Sequence, residues 1–143
     1  MGANYFEGIA KKILFAPISN GANRLCILSA HATPSMVSWL MTTYEELGIK
    51  NISIELIIES TIDDGIDTIS HEGFKELQGN RSSGTNDNFS CSYLHQPPTS
   101  KKNTFIWLEN DTPVQAFTCT YDFTQTSLLR KQSGSLTERS AVY

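Results

Sequence analysis

The sequence predicts an α/β fold in a single domain, and three observations support the prediction. Two short apolar runs bounded by turn residues, 24–30 and 52–59, are typical of buried strands. Each run is followed by a segment whose apolar residues recur at helical spacing. The resulting strand–helix–strand–helix order is typical of a parallel layer covered by helices. A chain of 143 residues is long enough to bury a core of its own.

The first half of the chain begins with a short helical segment, residues 4–15, which ends before the turn residue Gly21. Thr33 and Pro34 predict the start of the first long helix, because a threonine oxygen caps free N–H groups and proline needs no N–H at that position. Gly48 predicts its end. The apolar positions of this helix are Met36, Val37, Leu40, Met41, Tyr44 and Leu47.

The second helix and the later strands complete the predicted order of elements. The helix is expected near residues 67–77, with Ile69, Phe74 and Leu77 facing the core. The polar stretch that follows it predicts a loop. The β-rich runs predict a third strand and then a hairpin, at residues 89–94, 104–109 and 114–118, with the hairpin loop at 110–113. The tail from residue 125 onward has no clear pattern.

Charge and cysteine content exclude several classes of protein. The net charge of −4 argues against a protein that coats nucleic acid, because that affinity comes from neutralising phosphates. Residues 80–143 hold six basic and five acidic side chains, so a local phosphate contact is expected only in that half. Three cysteines without C-x-x-C spacing predict reduced thiols in a cytoplasmic protein. No apolar stretch is long enough to predict a membrane span.

Six segments of the chain, taken in order, form one recognisable series. They read ILSAHATPSMVSW, IELIIE, ISHEGFKEL, CSYL followed by PP, FIWLENDTPVQAF and FTCTYDFTQTSLL. Together they resemble the catalytic domain of phospholipase D-like type II restriction endonucleases, from about residue 23 to residue 138. The resemblance implies a mixed-sheet αβα sandwich that forms a homodimer and needs no metal or other cofactor.

The chemistry of that family explains which residue types its motifs contain. One strand carries H-x-K, the next ends in G-S-x-N, and a glutamate follows later. The histidine attacks phosphorus and becomes a phosphohistidine, since an imidazole is both a nucleophile and a leaving group near neutral pH. The lysine neutralises the developing charge on the phosphoryl oxygens. The glycine lets the backbone approach the phosphate.

The H-x-K segment has no histidine in either of two alignments. Counted forward from the two prolines at residues 97–98, Ser100 takes the place of the histidine and Lys102 that of the lysine. Counted back from Trp107, the two places fall on Lys101 and Asn103. The two counts differ by one residue, and the sequence leaves the register open.

The second motif is also replaced. Cys119 and Thr120 stand where glycine and serine are expected, and Asp122 stands at the place of the asparagine. Thr120 keeps a hydroxyl, whereas Asp122 brings a negative charge that repels a phosphate. Glu138 is the candidate for the late glutamate. The apolar segments resemble the family, whereas the motif residues that carry its chemistry are replaced. This combination predicts a catalytically impaired domain that acts by binding. The setting that the resemblance implies is a defence complex against phage.

The alternative hypothesis is a metal-independent phosphodiesterase or endonuclease that acts on DNA as a homodimer. His95, close to the motif, or His31, at the end of the first strand, would then be the nucleophile beside Lys102. His71 is expected on a solvated helix face. The acidic residues at 63, 64 and 67 are expected to serve a turn and a helix cap, because the calcium-loop pattern is missing.

Overall fold

The computed structural model describes residues 8–59, 68–80, 88–94, 103–124, 128 and 136–140. Its helices are α1 at Ile9–Leu14, a 3₁₀ helix at Ala16–Asn20, α2 at Pro34–Glu46 and α3 at Thr68–Asn80. Its strands are β1 at Arg24–Ser29, β2 at Ser53–Ile58, β3 at Asn88–Tyr93, β4 at Asn103–Glu109, β5 at Thr112–Cys119 and β6 at Leu136–Ser140. No helix among these is long and apolar enough to cross a membrane.

The six strands form one sheet in the order β3-β2-β1-β4-β5-β6. β1, β2 and β3 run parallel to one another, as the two strand–helix units predicted. β4 pairs antiparallel with β1, and the hairpin and β6 continue the antiparallel half. The α/β class and the mixed sheet are therefore confirmed.

Burial alternates along the strands, which shows that the core lies on one face of this sheet. Leu25 and Ile27 of β1 are buried, while their neighbours Cys26 and Leu28 are only half-buried. The same alternation in β2 and β4 places the buried side chains of all three strands on one face. The opposite face carries half-buried side chains.

The described helices pack on the buried face. The Tyr44 hydroxyl in α2 donates to the Leu14 carbonyl at 2.6 Å, and the buried Trp107 indole N–H in β4 donates to the Ile13 carbonyl at 2.6 Å. Both bonds end on the last residues of α1, where helix carbonyls have no partner within the helix. α2 and α3 share this face, since the Cβ of an alanine at Gly73 would lie 2.8 Å from Pro34.

The boundaries of α2 follow the predicted signals. The Thr33 hydroxyl oxygen accepts from the Met36 N–H at 3.3 Å, and Pro34 is the first helical residue. Gly48, with φ of 75°, follows the end of the helix. Leu47 is 53% exposed because it comes after the last helical residue.

The prediction that Ile69 faces the core is wrong, because it is 85% exposed. Phe74 is the buried residue of α3, and its ring lies 6.5 Å from that of Phe89 in β3. With 3.6 residues per turn, a residue five positions before Phe74 lies roughly 140° around the helix. Ile69 is therefore on the outer side, whereas Leu77 packs against the core.

The hairpin is tighter than the sequence indicated. Only Asn110 and Asp111 lie between the strands, both with positive φ, at 49° and 72°. Such a turn matches the twist of the flanking strands, and asparagine and aspartate tolerate it best after glycine. Asn23 fixes the turn with two hydrogen bonds to Asn110, at 3.0 and 3.1 Å.

One described strand was not predicted at all. β6 lies in the tail that showed no pattern, and it pairs with β5 so that Glu138 stands opposite Phe117. β6 has the sequence LTERS with a single apolar side chain, so the sequence shows no apolar alternation and its partner strand is what reveals it.

Candidate functional site

The candidate site lies at the edge of the sheet where β1 ends, β4 begins and β5 ends. In open α/β sheets this carboxyl edge of the parallel strands is where ligands bind, next to the strand at which the order reverses. β1 is that strand, because β2 and β3 follow one another on one side of it and β4 lies on its other side. Asn103 and Asp122 lie here, together with the loop that joins β1 to α2.

The predicted site residues are only partly described. Ser100, Lys102 and His95 lie outside the described residues. Thr120 is exposed and Asp122 is half-buried just beyond the end of β5. Glu138 is placed by its backbone in β6, opposite Phe117 and two register positions from the pair of Cys119 with Leu136.

Asn103, which takes the place of the motif lysine when the residues are counted back from Trp107, is the centre of the site. Its side chain is completely buried. Its Oδ1 accepts from the Ala30 N–H at 2.8 Å, and its Nδ2 donates to Asp122 Oδ1 at 3.1 Å. Since the backbone N–H can only donate, Oδ1 must face Ala30, and the amide group must face the carboxylate. The conformation of Asn103 is thus fixed from both sides.

A short segment after β5, Thr120 to Thr124, closes over this edge of the sheet. The Phe123 N–H donates to the Ser29 hydroxyl at 3.1 Å and to the His31 carbonyl at 3.2 Å. The Phe123 carbonyl accepts from the Thr33 N–H at 3.3 Å. These bonds join the segment to the loop between β1 and α2.

The side chain of Phe123 anchors the closing segment in the core. It is completely buried, and its ring meets that of Phe105 edge-on at 6.2 Å. The Ser29 hydroxyl, also buried, donates to the His31 carbonyl while it accepts from Phe123. The edge of β1 is therefore occupied by protein groups that satisfy one another.

Cys119 fills the space where the motif expects glycine. It is almost completely buried, and its Sγ lies 3.7 Å from the Tyr121 carbonyl. Burial raises the pKa of the Cys119 thiol, and the nearby Asp122 charge adds to the rise. A thiol in this condition stays protonated at neutral pH and is a poor nucleophile.

His71 contacts another polar group, so the expectation of a solvated face is wrong for it. Its Nδ1 lies 2.8 Å from the Tyr93 hydroxyl, between α3 and β3. Burial raises the pKa of Tyr93 to about 12 and that of the neighbouring Cys91 thiol to about 11. Neither the phenol nor the thiol ionises near neutral pH, and the hydrogen bond between His71 and Tyr93 joins α3 to the edge strand β3.

Comparison with protein families gives the identity of the domain. The family model described as the N-terminal PLD domain of the NgoFVII restriction endonuclease matches residues 7–140. The chain belongs to this PLD domain family. A search of curated proteins found no match.

The geometry shows how this PLD domain arranges its two motif segments. Asn103 comes from the segment that the sequence analysis compared with H-x-K, and Asp122 comes from the segment that it compared with G-S-x-N. The structure brings the two side chains into direct contact, although they are 19 residues apart. Within the described residues of the domain, no group of three His, Cys, Asp or Glu side chains is arranged to hold a metal ion.

Proposed function

We propose that this PLD domain is catalytically impaired and acts by binding. The observation that supports the proposal most directly is the hydrogen bond between Asn103 and Asp122. It joins the two segments that would have to hold a phosphate between them.

The contact also favours one of the two registers of the H-x-K segment. The lysine and the asparagine of the family motifs serve one site, so the residues that replace them are expected to be neighbours. Asn103 and Asp122 are neighbours, which favours counting back from Trp107. In that register Lys101 replaces the histidine and Asn103 replaces the lysine. An ammonium group does not attack phosphorus until it loses its proton, and a neutral amide does not neutralise a phosphoryl oxygen.

Electrostatics at Asp122 also oppose phosphate binding. Two like unit charges about 4 Å apart repel by about 4 kcal/mol at an effective dielectric constant of about 20. Asp122 is half-buried and fixed by Asn103, so its carboxylate cannot easily turn away. A phosphate in this corner would therefore lose affinity.

The proposed partners are a second copy of the chain and a protein of a host–phage defence complex, which the domain would inhibit or regulate. The support for both is the family, whose restriction endonucleases use such domains.

A nuclease assay tests the loss of activity. Pure protein is incubated with plasmid and with single-stranded DNA in excess chelator, and we expect no cleavage above a buffer control. The Lys102→Ala and His95→Ala variants are assayed in parallel. Chelator-resistant cleavage that either substitution abolishes would overturn the proposal. Sedimentation of the same sample tests the homodimer, and a monomer at all concentrations would contradict that part.

A second candidate function is a metal-independent phosphodiesterase that uses a displaced histidine. The observation that favours it is the position of His31, which is exposed in the same corner as Asn103 and Asp122. The His31→Ala variant separates the two functions. If the wild type cleaves DNA and His31→Ala does not, the phosphodiesterase is favoured. Ser38→Ala, at an exposed position of α2 outside the motif segments, serves as the control.

Restoring the motif provides a test in the opposite direction. The Asp122→Asn variant restores the asparagine of the family's second motif and removes the carboxylate, while the buried Asn103 stays in place. We expect it to bind inorganic phosphate or single-stranded DNA at least tenfold more tightly than the wild type. Equal binding by a variant that is shown to be folded would count against the electrostatic argument at Asp122.

A further inference from the structure

We draw no further inference here: the strongest candidate, the half-buried apolar face of the sheet opposite the helices around Cys26, Leu28, Ile57 and Ile106, carries none because nothing in the structure shows what covers it.

Discussion

The buried side-chain amide of Asn103 links the segments that meet where β1 ends, β4 begins and β5 ends. Its carbonyl oxygen is held by the Ala30 N–H and its NH₂ group by the Asp122 carboxylate. A lysine in its place would put a charge into a site that is completely buried. Asn103 and Asp122 are therefore matched to each other rather than to a phosphate.

Replacing Asn103 by alanine is expected to destabilise the protein by about 2–3 kcal/mol, because the Ala30 N–H and the Asp122 carboxylate each lose a partner. Urea unfolding monitored by circular dichroism measures the loss. Thr120→Ala, at an exposed position close by, should stay within about 0.5 kcal/mol of the wild type. An equal effect of the two substitutions would show that the hydrogen bonds of Asn103 contribute little.

The raised pKa of the Cys91 thiol predicts that the folded protein loses stability at alkaline pH. Burial raises its pKa from 9.0 to about 11 in the folded state, so the folded protein holds this proton longer than the unfolded chain. Stability is therefore fully present below pH 9 and falls as the pH rises toward 11. The free energy of unfolding of Cys91→Ala, measured at several pH values, should fall less steeply over this window. Parallel curves for both proteins would refute the assignment to Cys91.

At the scale of the elements, close packing of α2 on α3 explains the glycine in the middle of a helix. A Cβ at Gly73 would lie 2.8 Å from Cγ and 2.9 Å from Cβ of Pro34, and a proline ring has little freedom to move. A side chain of α3 also contacts the edge strand. The side-chain carbonyl of Gln78 accepts from the Cys91 N–H at 3.1 Å and so covers part of the edge of β3.

The Gly73→Ala variant tests this packing. Alanine normally favours a helix over glycine by about 1 kcal/mol, so a simple helix effect would stabilise the protein. We expect the opposite, a loss of about 1–3 kcal/mol, because the added methyl group pushes α3 away from Pro34. Glu72→Ala, exposed on the same helix, is the control and should change little. A more stable Gly73→Ala would show that the contact yields easily.

At the scale of the whole molecule, the protein has the fold of a PLD domain, but its net charge disfavours the binding of nucleic acid. The net charge is −4, and the described corner presents the carboxylate of Asp122. At about 150 mM salt, charges beyond roughly 8 Å are largely screened, so distant basic residues cannot compensate.

We therefore expect no saturable binding of a fluorescent DNA duplex at about 150 mM salt, measured by anisotropy, because few phosphates are neutralised. Lys102→Ala should leave the weak residual signal unchanged. Submicromolar binding that falls with this substitution would contradict the electrostatic argument and would favour a nucleic-acid function.

The amino-acid sequence alone determined most of the elements, since the apolar periodicity and the caps of α2 are local features, and its scattered motifs indicated the family. It could not place Ile69 on the outer side of α3 or reveal β6. Each of these depends on which strand or helix lies beside the residue. Only the tertiary structure, by pairing β4 with β5 and closing residues 120–124 over β1, brought Asn103 to Asp122.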